Sequence, residues 1–189
     1  MHPFLMRFLP SMALWTAVLA SFTPFANVYL TRDLRIPLGQ IGLIFFTAQV
    51  VQFAMGLLTP VLFRRFGLVN GIVMTQVATA VALACLAGTQ QRGLAVAIYL
   101  SFSAAQWMSS PGLYNLLMSK TPRAEQSTAS AMTMFSNALL QSGATAVTGG
   151  LFVRFGYPRV LVGIAVVAVM TAMLFRFVVA PASDVEMVS

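Results

Sequence analysis

Acidic side chains are scarce in this chain: Asp33, Glu125, Asp184 and Glu186 are the only four in 189 residues, and charged residues of both signs make up 8%. A soluble domain typically carries about a quarter charged residues, so the composition speaks against an ordinary water-soluble globule. Each carboxylate falls in a predicted loop or in the tail, which leaves none inside an apolar run. Histidine and cysteine are scarcer still, with His2 and Cys85 the single examples. One cysteine allows no internal disulfide, and in mid-span Cys85 reads as a small buried apolar side chain. Without a cluster of His, Cys, Asp or Glu there is nothing to hold a metal, and no acid, base and nucleophile converge. No Gly-x-x-x-x-Gly-Lys run is present to cradle a phosphate, so direct use of ATP is not expected. The chain is therefore expected to be neither an enzyme nor a cofactor-dependent protein.

What fills the sequence instead is apolar: 59% hydrophobic residues and a mean hydropathy of +0.86. A bilayer core about 30 Å thick needs roughly 20 apolar residues per helix, because lipid offers the backbone no hydrogen-bond partner. Six segments read as spanning helices on that standard: 4–30, 39–63, 68–87, 94–118, 128–152 and 158–179. The breaks between them, 31–37, 64–67, 88–93, 119–127 and 153–157, are short and hold Arg or Lys with Gly, Pro or Gln. Such turns predict consecutive helices as antiparallel neighbours in one transmembrane domain over 1–189, with 180–189 as a tail. The net charge of +7 comes from Lys and Arg scattered in ones and twos between apolar runs, a pattern of membrane-protein loops and not of a nucleic-acid surface.

The first segment exceeds a 7 to 15 residue signal-peptide core and is followed by further spans, so it counts as structure. Charge does not fix the orientation. With the N-terminus inside, the cytoplasmic side receives Arg7, Arg64, Arg65, Lys120, Arg123 and Arg176, and the other side Arg32, Arg35, Arg92, Arg154 and Arg159.

An internal echo organises the six segments. Phe63-Arg64-Arg65-Phe66-Gly67 recurs as Phe152-Val153-Arg154-Phe155-Gly156, an offset of 89 residues, and at that offset Gln52 falls on Gln141 and Thr59 on Thr148. Three helices over about 4–87 then repeat as three over about 94–179. Three being odd, the second copy is inverted across the membrane relative to the first, an arrangement that transporters use. The competing reading is that Arg-Phe-Gly ends two hydrophobic helices independently, since Gly and Arg both suit helix ends.

Leu38-Gly39-Gln40-Ile41-Gly42, the long helix after it, and Pro60-Val61-Leu62-Phe63-Arg64-Arg65-Phe66-Gly67 resemble the major facilitator superfamily. More narrowly, with Thr23-Pro24-Phe25-Ala26-Asn27-Val28-Tyr29-Leu30 before them, they are similar to its C-terminal six-helix half. The resemblance covers nearly the whole chain. Of the family's Gly-x-x-x-Asp-Arg-x-Gly-Arg-Arg loop, only Arg64, Arg65 and Gly67 have counterparts here, and the Asp has none. The resemblance implies cytoplasmic termini, a multi-pass protein of the plasma or inner membrane, and twelve helices in all. This chain would supply half, as a fragment, a truncated product, or a subunit that pairs with a second copy or a separate chain.

Polar residues in a spanning helix must face protein or water. In the first segment Thr16, Thr23 and Asn27 stand at i, i+7 and i+11 beside Pro24. In the fourth, Tyr99, Ser103, Gln106 and Ser110 follow i, i+4, i+7 and i+11, Trp107 borders them, and Pro111-Gly112 is expected to interrupt the helix. The resemblance places these same two helices along the transport cavity. Thr23, Asn27, Gln106, Trp107 and Asn115 are the candidate solute-binding residues, the amides as hydrogen-bond partners and Trp107 as an apolar or cation-attracting wall. Packing is the plainer role for each, and more so for Gln49, Gln52, Asn137 and Gln141, whose repeat relationship already explains them.

The expected function is movement of a small neutral or cationic solute by alternating access, together with a second six-helix half. No membrane-embedded Asp, Glu or His is available for proton coupling in the six spans. The alternative is a non-transporting membrane scaffold or regulatory subunit, or an inactive fragment; a membrane-embedded transferase would want acidic motifs near an interface.

Overall fold

Long apolar runs punctuated by glycine and proline fold into six long helices in the computed structural model, which describes residues 3–179. No strand occurs among the described residues. The first helix is a composite rod: an α-helix over Pro3–Phe22, a 3₁₀ turn over Thr23–Phe25, one α-helical turn over Ala26–Val28 and a π turn over Tyr29–Asp33. The second to fifth helices are Leu38–Phe66, Leu68–Gly88, Arg92–Lys120 and Gln126–Phe155. The sixth, Tyr157–Leu174, ends in a π turn over Phe175–Val179. Residues 180–189, read from sequence as a tail, lie outside the described residues.

Four of the six helices are long and apolar enough to cross a membrane: the first, second, third and sixth. Such a set points to a membrane protein. The sequence reading put all six at that standard, and here the structure is more restrictive. The fourth and fifth, at 29 and 30 residues, are long enough. They fall short in apolarity because the fourth carries Ser101, Ser103, Gln106, Ser109 and Ser110, and the fifth Thr133, Ser136, Asn137, Gln141 and Thr145.

The two echoing turns have one geometry. Gly67 closes the second helix at φ 82°, ψ 155° and Gly156 closes the fifth at φ 77°, ψ 165°. In this left-handed region a Cβ is penalised, which is why glycine recurs there. The Arg65 guanidinium lies over the Phe66 ring at 5.7 Å, and Arg154 over Phe155 at 5.3 Å. About two turns earlier, Thr59 donates to the Met55 carbonyl and Thr148 to that of Ala144, both four residues back.

Packing does not follow chain order as closely as the short turns imply. The largest contact surfaces join the first helix to the fifth, the third to the fourth and to the sixth, and the second to the fourth. The second touches the third, and the fifth the sixth, only sparingly, because the extended ψ of each hinge glycine turns the next helix away. The second helix is left with one-ninth of its apolar window buried, 11%. Its outer face presents Leu43, Phe46, Val50, Phe53 and Leu57, and that of the fifth presents Met134, Phe135, Leu139 and Val147.

The core runs through the first, third, fourth and sixth helices, with Phe8, Trp15, Phe22, Leu83, Phe102, Leu117 and Phe175 fully buried. Cys85, expected to be buried, is exposed. It continues an outward stripe of Met74, Val77 and Val81 on the third helix, all exposed. That helix is hydrophobic all round, so sequence alone could not separate its inner from its outer face. Pro111 does not break the fourth helix, which runs through it unbroken. The interruption lies in the first helix at Thr23-Pro24.

Two core features give testable consequences. The Phe63 ring is clamped between the second, third and fourth helices, and a Cβ on Gly112 would come within 2.5 Å of it and 2.9 Å of Ile72. Gly112→Ala should lower stability by about 1–3 kcal/mol through overpacking, and Phe63→Leu should recover much of that loss in thermal unfolding of the detergent-solubilised protein. Gln76 is wholly buried and neither polar atom of its amide has a hydrogen-bond partner. Gln76→Leu should raise the unfolding midpoint, since an unsatisfied buried group costs about 1–3 kcal/mol.

Candidate functional site

The first and fourth helices meet along a seam held more by specific bonds than by breadth of contact. Trp15 Nε1 donates to Ser109 Oγ at 3.0 Å, and Ser109 Oγ donates to the Gln106 carbonyl at 2.7 Å. Trp15 and Ser109 are both buried, so the two bonds form with little competition from water. Further along the seam, the Phe22 and Phe102 rings meet edge to face at 5.3 Å, and Thr23 Oγ1 donates to Gln106 Oε1 at 3.2 Å. The fifth helix is tied in where Thr145 Oγ1 donates to the Ala20 carbonyl at 3.2 Å, and the second where Gln52 Nε2 donates to Ser103 Oγ at 2.5 Å.

A cavity of about 390 Å³ opens on this seam. The first helix contributes Thr16, Leu19, Thr23 and Pro24, the fourth Gln106, Trp107 and Ser110, and the fifth Asn137 and Gln141. Its size falls at the lower end of the roughly 300–1,000 Å³ of small-ligand sites, and it has their mix of apolar wall and few convergent polar groups. Thr23 binds the Gln106 amide oxygen, which leaves the Nε2 donors of that amide for the cavity. Trp107 is half exposed, at 51%, and its indole edge faces Gly56, where an added Cβ would stand 3.5 Å from Nε1. The small residue leaves room for the ring at the cavity rim.

Three of the five sequence-predicted residues, Thr23, Gln106 and Trp107, are thus brought together. The other two are set apart. Asn27 lies beyond the 3₁₀ turn, exposed, and its backbone carbonyl accepts a 2.6 Å bond from Thr31. Asn115 lines a second cavity of about 420 Å³ with Gly56, Thr59, Pro60 and Arg64, at the far end of the second helix. Asn137 and Gln141, read from sequence as packing residues, also line the polar cavity. They stand four apart on the fifth helix, the spacing of one face, and that signal could have found them. Among the residues predicted to share a face with Gln106, Ser103 is buried against Gln52 and Tyr99 in the core.

No protein family's model matches this chain, and no curated protein matches it either. The cavity where the first, fourth and fifth helices meet holds no carboxylate and no basic side chain, so it offers hydrogen bonds and an aromatic face without net charge. Among the described residues no group of His, Cys, Asp or Glu is placed to hold a metal ion.

Exposed Cys85 lets this geometry be probed, because Cys85→Ser is expected to leave the core undisturbed. In that background a short bis-thiol reagent should join Thr23→Cys to Gln106→Cys within one chain, seen as a mobility shift on denaturing gels. Failure to cross-link would mean that the first helix does not bring Thr23 to the fourth.

Proposed function

We propose that this chain spans the membrane six times, with both termini cytoplasmic, and forms one six-helix half of a solute transporter of the major facilitator type. The single observation that carries the reading is the uncharged polar cavity where the first, fourth and fifth helices meet. Polar groups clustered in helices otherwise this apolar need protein, water or solute to face. A solute that is neutral or cationic suits amides, hydroxyls and the Trp107 face, since no basic residue lines the cavity to hold an anion.

The packing supports two inverted three-helix repeats. Exchanging helices one to three with four to six carries the first–fifth contact onto the fourth–second, the third–fourth onto the sixth–first, and the third–sixth onto itself. The matched glycine turns at Gly67 and Gly156 fall at equivalent places under the same exchange. Sites between such repeats, near a broken helix, are a recurrent transporter plan, and Thr23-Pro24 supplies the break. A second half, either another copy or a separate chain, would close the open side of the cavity. The scaffold alternative draws on the broad apolar faces of the second and fifth helices, which would bind a partner equally well without any flux.

Alternating access separates the two. With Gln106→Cys in a Cys85→Ser background, reconstituted protein should react with a charged, membrane-impermeant thiol reagent added from either side, at rates that an occluding ligand shifts in opposite directions. Reaction from one side only, under all conditions, would favour the scaffold.

A further inference from the structure

A second cavity, about 570 Å³ against the 390 Å³ of the polar one, forms a groove on the outside of the bundle between the first, fifth and sixth helices. Its walls are apolar, with Leu14 and Val18 from the first helix, Val147 and Leu151 from the fifth, and Ile164 and Val167 from the sixth. The hydroxyls that reach it are turned back on their own helices, Ser21 to the Ala17 carbonyl at 2.8 Å and Thr148 to that of Ala144. The crossing of helices two, three and four, its counterpart under exchange of the halves, is plugged by Phe63 over Gly71 and Gly112. At the crossing of five, six and one, Phe152 is held instead by Tyr157 at 4.4 Å and Phe25 at 5.2 Å, and the space beside it stays open.

Charge marks one end of the groove. Arg159, at the start of the sixth helix, lines it, and no carboxylate does. Phe155 lines the same end and carries the Arg154 guanidinium over its ring at 5.3 Å. Along the fifth helix the lining runs from Phe155 to Ala144. At 1.5 Å per residue that is about 16 Å, close to half of a hydrocarbon core about 30 Å thick. A cationic rim at the helix turn followed by an apolar trough one leaflet deep matches a lipid with an anionic head.

We infer that this groove is a binding site for an anionic phospholipid, with the phosphate at Arg159 and Arg154 and one acyl chain along the trough between the first, fifth and sixth helices. The inference rests on the membrane-spanning reading above. Basic pockets between transmembrane helices hold anionic head groups by this combination of charge-assisted hydrogen bonds and apolar burial. A lipid lodged there would brace the first helix against the fifth and sixth from behind, on the side away from the polar cavity.

The test is lipid retention. Delipidated protein in detergent is exposed to phosphatidylglycerol or phosphatidylcholine, and bound lipid is counted by native mass spectrometry. Phosphatidylglycerol should be held about tenfold more tightly than phosphatidylcholine, and Arg159→Gln should remove that preference. Gly163→Leu, at a position where an added Cβ meets no atom within 4 Å, should fold and fill the trough, lowering retention of both lipids. Equal retention of the two lipids by the unaltered protein, or unchanged retention by both variants, would overturn the site while leaving the membrane reading intact. Release of the chain from membranes by alkaline carbonate would overturn both.

Discussion

The seam between the first and fourth helices is the constraint on which the rest depends. These helices share little surface, so they are held by a few directed contacts: Trp15 to Ser109, Ser109 to the Gln106 carbonyl, Thr23 to the Gln106 amide, and the Phe22–Phe102 edge. In an apolar medium such bonds add to packing, which is the main force between helices there. Because the contact is narrow, space remains beside it, and the polar side chains that make the seam also line the cavity. Gln106 serves both purposes, its backbone anchoring Ser109 and its side chain facing Thr23.

The break at Thr23-Pro24 follows from the same arrangement. Proline lacks a backbone donor and cannot complete the helical ladder, and the chain answers with a tighter turn, then widens over Tyr29–Asp33. The lower part of the first helix is thereby fixed by Trp15 and the fifth helix, while the upper part is fixed by Tyr29, which donates to the Leu86 carbonyl at 3.2 Å. Two differently anchored pieces joined at one turn let a helix lend side chains to a cavity without being wholly buried.

Much of this was legible in the sequence, and the failures have physical causes. The six helices were visible between their Gly- and Pro-bearing turns, four of them apolar enough to cross a membrane, and the Gly67 and Gly156 turns as an echo at a fixed offset. Thr23, Gln106 and Trp107 were reachable because helical spacing holds on either side of a single crossing. Asn27 was not placed correctly by spacing, since the 3₁₀ turn changes the helix phase ahead of it. Asn115 lies on the fourth helix but on the face it shares with Pro111, turned towards the second helix and away from the cavity that Gln106 lines. Cys85 sits on a helix apolar on every side, where no pattern tells core from surface, and Pro111, expected to interrupt the fourth helix, lies inside it without a break.

Pairing is the claim that the transport reading needs most, for a single six-helix bundle leaves its polar cavity open on one side. The decisive measurement is the mass of the particle taken directly from the native membrane into a lipid nanodisc. The account predicts two six-helix units in each particle, as two copies of this chain or as this chain with a second one. A stable particle holding one copy and no partner would contradict it.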